Sequence, residues 1–397
     1  MRRVIIVAVA VVVAAGAAGA APRATPGVTA TTITLGGTAP FTGEASAAGG
    51  VARGADAYFK WVNAHGGIHG RKVVYKVLDD GYDPARTVPA VRQLVQQDQV
   101  FAIFNVIGTN PNLAIRPFLN DLRVPQIFAA SGATAFGTDY KKYPWTIGYI
   151  PSYQAEGKIY GRYIVKNAKQ TKVAVLYQDD DYGKDVLAGL KKGLGSRVKI
   201  VDAESYDPTS ADVRSQMAKL KASKANVLCL FAFGKFAVQA YYSLNSLGWH
   251  PKVFVNDVAS AASLMKLSPG KVTEGSISIV FGKDPSSPQW KRDKGMKLYR
   301  SVMTKYYADG ISNSYAAAGA GAAYTMVDVL KKAGKNLTRE GLMRAATHLT
   351  ERGNPFVLPG IVVRTTPRNH FPIAQVKLQR WHKGHWIIFG KLISAKP

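Results

Sequence analysis

One pattern limits this 397-residue chain more than any other: strand and helix signals alternate through its first third and then begin again. Ile33-Thr-Leu-Gly-Gly-Thr38 reads as a strand running into a Gly-rich loop. Val51, Ala55, Tyr58 and Val62 recur at helical spacing, and Gly66-Gly67 ends that helix. Lys72–Asp79 alternates as a strand, Pro84 opens a helix carrying Val88, Val91 and Val95, and 101–104 is a buried strand. Asn110-Pro111 starts the next helix and Gln126–Ala129 the next strand. A β-α-β-α order of this kind implies a parallel sheet with helices on both faces.

The alternation restarts after 144–151. Helices are expected over 154–167, 182–190, 213–220 and 236–247, and strands over 173–177, 199–204, 227–231 and 253–255. Helices near 289–307, 314–332 and 338–346 follow, and two strands, 373–378 and 386–389, close the chain. The expected fold is therefore α/β, two Rossmann-like lobes with parallel sheets, the late elements returning the chain to each lobe in turn. Crossings between lobes would act as a hinge over a cleft. At 397 residues and 47% hydrophobic, the chain is long enough for two cores.

The N-terminus reads differently. Arg2 and Arg3 precede the apolar run Val4–Val13, and small residues follow to Ala18-Gly-Ala-Ala-Pro22. Charge, short apolar core and small residues in that order read as a secretory signal over 1–24. The single cysteine, Cys229, stands in an apolar strand away from that region, so no lipid-anchoring cysteine accompanies the signal. A periplasmic or secreted monomer is expected. The formal charge of +27 is high, but Lys191, Lys192, Lys219, Lys221 and Lys224 are scattered at helical spacing. No zinc-finger, RNP-type or helix-turn-helix pattern joins them, so a solvated surface is expected and no nucleic-acid partner.

Several segments, in order, resemble one family. They are Thr38-Ala-Pro-Phe-Thr-Gly43, Asn63-Ala-His-Gly-Gly-Ile-His-Gly-Arg71, Leu78-Asp-Asp-Gly-Tyr-Asp-Pro-Ala85, Val124-Pro-Gln-Ile127 with Ser131-Gly-Ala-Thr134, and Leu176-Tyr-Gln-Asp-Asp-Asp-Tyr-Gly-Lys-Asp185. Together they resemble the type I periplasmic binding proteins of the leucine/isoleucine/valine-binding kind, the solute receptors of branched-chain amino-acid-type ABC transporters. The resemblance spans about residues 30–390. It implies two lobes closing on a ligand, 28–147 with 283–355 and 148–282 with 356–397. Three interlobe strands are implied near 145–150, 278–282 and 354–357.

It also implies a site. An α-amino acid's carboxylate suits backbone N–H groups at a helix start together with hydroxyl donors. Gly108-Thr-Asn-Pro111 offers a Gly for close approach, Thr109 as donor and Asn110 as a cap before proline. The resemblance carries the carboxylate-binding role to Thr109, Ser131, Ala133 and Thr134, with Asn110 expected at the site beside them. It places Tyr182 over the ligand and Phe233 against its apolar part, and makes Asp257 the partner of its ammonium. Ala47 and Ala48 stand where some relatives have an aromatic, leaving room for a larger, aromatic ligand. The three aspartates before Tyr182 lack EF-hand spacing and read as helix-start residues.

Catalytic signatures are missing: there is no Gly-x-Ser-x-Gly elbow, phosphate loop or His-Glu-x-x-His helix. His65 and His69 are separated by a helix-breaking Gly-Gly, and His382 and His385 flank a turn at Lys383-Gly384, so neither pair reads as a metal site. The expected function is a non-enzymatic receptor without metal or cofactor, binding an amino acid or related small carboxylate and delivering it to a membrane permease. The alternative is a sensor of the same fold, for an aromatic acid or amide, signalling to a membrane receptor or kinase.

Overall fold

The computed structural model describes residues 25–167 and 171–396; the expected signal segment lies outside them. The first α/β unit runs β1 (Thr32–Ala39), α1 (Gly50–Ala64), β2 (Lys72–Asp79), α2 (Pro84–Arg92), β3 (Ala102–Phe104), α3 (Thr109–Asp121), β4 (Gln126–Ala129), α4 (Ala135–Thr138) and β5 (Thr146–Gly148). Its five strands are all parallel, in the order β2-β1-β3-β4-β5.

The second unit runs α5 (Tyr153–Asn167), β6 (Lys172–Gln178), α6 (Asp181–Leu194), β7 (Lys199–Tyr206), α7 (Arg214–Ala222), β8 (Val227–Phe231), α8 (Lys235–Ser246), β9 (Lys252–Val255), α9 (Ala262–Leu267), α10 (Gly270–Thr273) and β10 (Ile277–Val280). The chain then returns to the first unit through α11 (Lys294–Tyr306), α12 (Ser314–Lys332), α13 (Arg339–Thr347), β11 (Thr350–Arg352) and β12 (Val362–Arg364). It ends on β13 (Gln375–His382) and β14 (His385–Ser394).

These last two strands join the second sheet, whose order is β14-β13-β10-β9-β8-β6-β7. This sheet is not wholly parallel: β13 runs antiparallel to β10 and β14 antiparallel to β13. The reason is local. Lys383 and Gly384, both at positive φ, form a two-residue turn between paired His382 and His385, and such a turn can only join antiparallel neighbours.

Helix starts follow their caps. Asp83, Asp180, Asp293, Asn313 and Thr338 each accept a backbone N–H from the first turn of the helix that follows. Asp180, the middle of the three aspartates, is thus a cap. Glycine lets helix backbones touch: a Cβ on Gly157 of α5 would lie 2.1 Å from the Val186 carbonyl of α6, and one on Gly319 of α12 would lie 1.8 Å from the Val51 carbonyl of α1.

The third expected crossing sits elsewhere. Val357 does pair with Gly282, and Lys283 N–H donates to the Phe356 carbonyl. The chain nevertheless stays with the first unit afterwards. Thr365 Oγ1 donates to the Ala346 carbonyl, the buried ring of Phe371 lies against Gly137, and His370 Nδ1 meets the Thr146 carbonyl at 2.8 Å. The step to the large sheet falls between Phe371 and Gln375, because these packed side chains hold 362–371 against α4 and β5.

Candidate ligand-binding cleft

Ligands of doubly wound sheets gather at the C-terminal ends of strands, beside the point where strand order reverses. That point lies between β1 and β3 in the first sheet and between β6 and β8 in the second. The two sets of strand ends meet around one cavity. From the first unit it is lined by Ala48 and Val51 beyond β1, Tyr82 beyond β2, and Asn105, Ile107 and Gly108 beyond β3. From the second come Tyr182, Phe233, Asp257 and Ser260, each beyond a strand. Tyr149, Tyr153, Phe281 and Phe356 complete a largely aromatic wall where the chain passes between units.

Of the residues expected at the site, Tyr182, Phe233 and Asp257 line this cavity. Tyr182 is buried and its hydroxyl donates to Asn256 Oδ1 at 2.9 Å. Phe233 faces Tyr82 from across the cleft, ring centres 5.1 Å apart. Ala48 lines the cavity where an aromatic would narrow it.

Asp257 is half-buried, and its backbone N–H donates to Glu156 Oε1 at 2.7 Å. Glu156 is buried on α5 and also accepts from the Tyr160 hydroxyl at 2.6 Å and from Asn256 Nδ2. Burial, and then the Asp257 charge, push the Glu156 carboxyl well above the usual range; burial does the same to Asp257.

The other expected residues make their own contacts and do not line the cavity. Thr109 Oγ1 and Ser131 Oγ are 2.7 Å apart, and Ser131 Oγ also accepts the Ala133 N–H at 3.1 Å. Thr134 N–H donates to Asp185 Oδ2 at 2.8 Å, and Thr134 Oγ1 lies 2.9 Å from Ser152 Oγ. A carboxylate does sit at the Thr134 amide, but it is the chain's own, brought across from α6. Asn110 is half-buried on the first turn of α3; the cap is Gly108, at φ 101°, with no side-chain bond. Asn112, not Asn110, secures this turn, donating to the Val106 and Gly108 carbonyls at 2.7 Å each.

Sequence reasoning missed Tyr82, Asn105, Tyr149, Tyr153 and Glu156. Two signals were present. Asn105 follows directly on the apolar run 101–104, at a strand's C-terminal end, and Glu156 places a carboxylate one turn before Tyr160 on the buried face of α5. Lys283 is the single Lys or Arg among the described lining residues, and both Asp293 oxygens hold it at 2.9 and 3.0 Å. Among the described residues no three His, Cys, Asp or Glu side chains converge as metal ligands, and no helix is long and apolar enough to cross a membrane.

Residues 32–385 match the family described as periplasmic binding protein. A Leu/Ile/Val-binding protein homolog of Brucella melitensis is 30% identical over 199 residues, 49% of this chain and 53% of that one. The chain thus spans about half the length of this curated relative. Among solved structures, a Thermus thermophilus branched-chain amino acid ABC transporter protein with bound valine superposes with a TM-score of 0.81 at 18% identity, over 92% of this chain and 97% of that one. A Rhodopseudomonas palustris solute-binding protein of an ABC transporter, in complex with 3,4-dihydroxybenzoic acid, gives 0.77 at 19% identity, over 92% and 98%. At these identities the likeness is one of fold.

Proposed function

The chain belongs to the periplasmic binding protein family, and from that premise we propose that it is the extracytoplasmic solute receptor of an ABC importer, holding an amino acid or a related small carboxylate between its two units. The observation that carries this reading is the cavity itself. The C-terminal ends of both sheets open onto one aromatic-walled space that holds a few polar groups and no metal-binding cluster among the described residues. Its walls offer aromatic and apolar contact with a few polar groups, and binding without turnover is the activity proposed for it.

The two units act as lobes, the first comprising about 28–147 with 283–371 and the second 148–282 with 372–397. The later final boundary follows the packing of 362–371 on α4 and β5. Gly108, which lines the cavity, and the start of α3 behind it, where no side chain caps the helix, serve the ligand's carboxylate. Phe233, Tyr82 and Tyr182 cover its body, and Asp257 faces its amine. A closed-lobe surface, stabilised by ligand through its higher affinity for that arrangement, is what a permease would recognise.

Calorimetry of the secreted form against amino acids, aromatic acids and amides tests this reading. One-to-one saturable binding of at least one compound, with no product formed on prolonged incubation, is expected. A panel that leaves both heat and melting temperature unmoved would overturn it, as would turnover.

A further inference from the structure

Asn105, which lines the cleft, and its hydrogen-bonded neighbour Phe128 hold backbone conformations that ordinary side chains avoid. Asn105 follows β3 with φ 55°, and Phe128 lies within β4 with φ 57°, where the register of β4 on β5 shifts. Left-handed backbone is tolerated by asparagine but is costly for phenylalanine. The two are tied together: Asn105 Nδ2 donates to the Phe128 carbonyl at 2.7 Å, and Asn105 N–H donates to the Ile127 carbonyl. Strain of this kind persists only where the surroundings impose it, and it concentrates at ligand sites.

That bond also settles which way the Asn105 amide faces. A carbonyl can only accept, so the atom on Phe128 is the NH2 group and the other is the oxygen. Asn105 is 3% exposed, lines the cavity, and its Oδ1 has no hydrogen-bond partner within the protein. A buried acceptor without a partner is costly. Beneath it the loop is braced by Asn112, whose side chain holds the Val106 and Gly108 carbonyls and is itself held by Gln126 Nε2 at 2.9 Å; Gln126 accepts in turn from Thr146 Oγ1. The acceptor is therefore fixed before any ligand arrives.

We propose that Asn105 Oδ1 is a ligand contact that selects solutes presenting an N–H or O–H donor beside an apolar or aromatic body. This rests on the receptor reading above and narrows it. Asp257 and Asp284 add further acceptors to the lining, while its Lys283 is committed to Asp293. Amines, amides and phenols satisfy such a site, whereas a purely hydrocarbon acid leaves Oδ1 unpaired.

Matched probes test it: L-phenylalanine against 3-phenylpropanoate, and 3,4-dihydroxybenzoate against benzoate, by calorimetry on the secreted form. In at least one pair the donor-bearing member is expected to bind about tenfold tighter or more, the scale of one buried unpaired acceptor. Asn105→Gly keeps the left-handed backbone and removes the acceptor, and should bring that preference below about threefold. A preference that survives Asn105→Gly overturns the proposal, as does a variant that weakens both members of a pair alike. The unaltered protein is a test by itself: binding both pairs without preference for the donor overturns this inference and leaves the receptor reading standing. Binding of no probe at all removes the proposed ligand class and this inference with it.

Discussion

Glu351 shows how one side chain can tie a crossing segment to pH. Its Oε1 accepts from Thr325 Oγ1 at 3.0 Å and from Asn354 Nδ2 at 2.9 Å, and Thr325 Oγ1 lies 3.1 Å from the hydroxyl of Tyr149 on the cavity wall. Its Oε2 is buried without a partner, and burial pushes the carboxyl up to about 7. A carboxyl raised in the folded chain stabilises the fold fully below its ordinary value of 4.5, and that contribution is lost as pH rises through about 7. Glu351→Gln keeps an acceptor for Thr325 and Asn354 but carries no charge. Between pH 5 and pH 8 it should gain about 2–3 kcal/mol on the unaltered protein in urea melts; parallel pH profiles would show that Glu351 does not titrate there. Tyr182, Phe233 and Asp257, the residues that the family resemblance pointed to in the second unit, line the cavity. The sequence did not reveal that Thr134 spends its amide on Asp185, since those residues are 51 apart in the chain.

Elements were the most legible level. Repeated β-α spacing placed β2, β4 and α12 to the residue, and the His382–His385 hairpin was readable from its Lys-Gly turn. Helix pairing was not. Gly157 and Gly161 on α5, and Gly189 and Gly193 on α6, repeat at one-turn spacing, but only the fold shows that the two pairs face each other. A Cβ on Gly189 would lie 2.2 Å from the Gln154 carbonyl, so neither helix can yield without separating. Gly157→Ala should therefore cost about 1–3 kcal/mol by urea unfolding, with the slope unchanged. Gly270→Ala, where a Cβ meets nothing within 4 Å, should be nearly neutral. Equal losses at the two sites would mean that helix contact is not what the α5 and α6 glycines serve.

At the scale of the whole molecule, the two units touch across the cleft mouth through a few contacts. Lys235 Nζ meets Glu44 Oε1 at 2.8 Å, a Cβ on Gly234 would lie 2.4 Å from the Glu44 carbonyl, and Asp185 holds the Thr134 amide. The ion pair is largely exposed and adds little, whereas the Asp185 bond is charge-assisted and partly buried. Asp185→Ala should favour a more open arrangement, raising the radius of gyration of the ligand-free protein in solution scattering and weakening ligand affinity by about threefold to tenfold. An unchanged scattering curve and affinity would show that this bond does not hold the units together. The sequence by itself determined the α/β class, the two rounds of alternation and most strand and helix positions, because periodicity, caps and turn residues act over a few neighbours. Only the tertiary structure decided which loops share the cleft, that α6 supplies the carboxylate at the Thr134 amide, and that Asn105 is left with an unpaired acceptor. Those depend on contacts between segments tens to hundreds of residues apart, and no local pattern encodes which distant partner a polar group will meet.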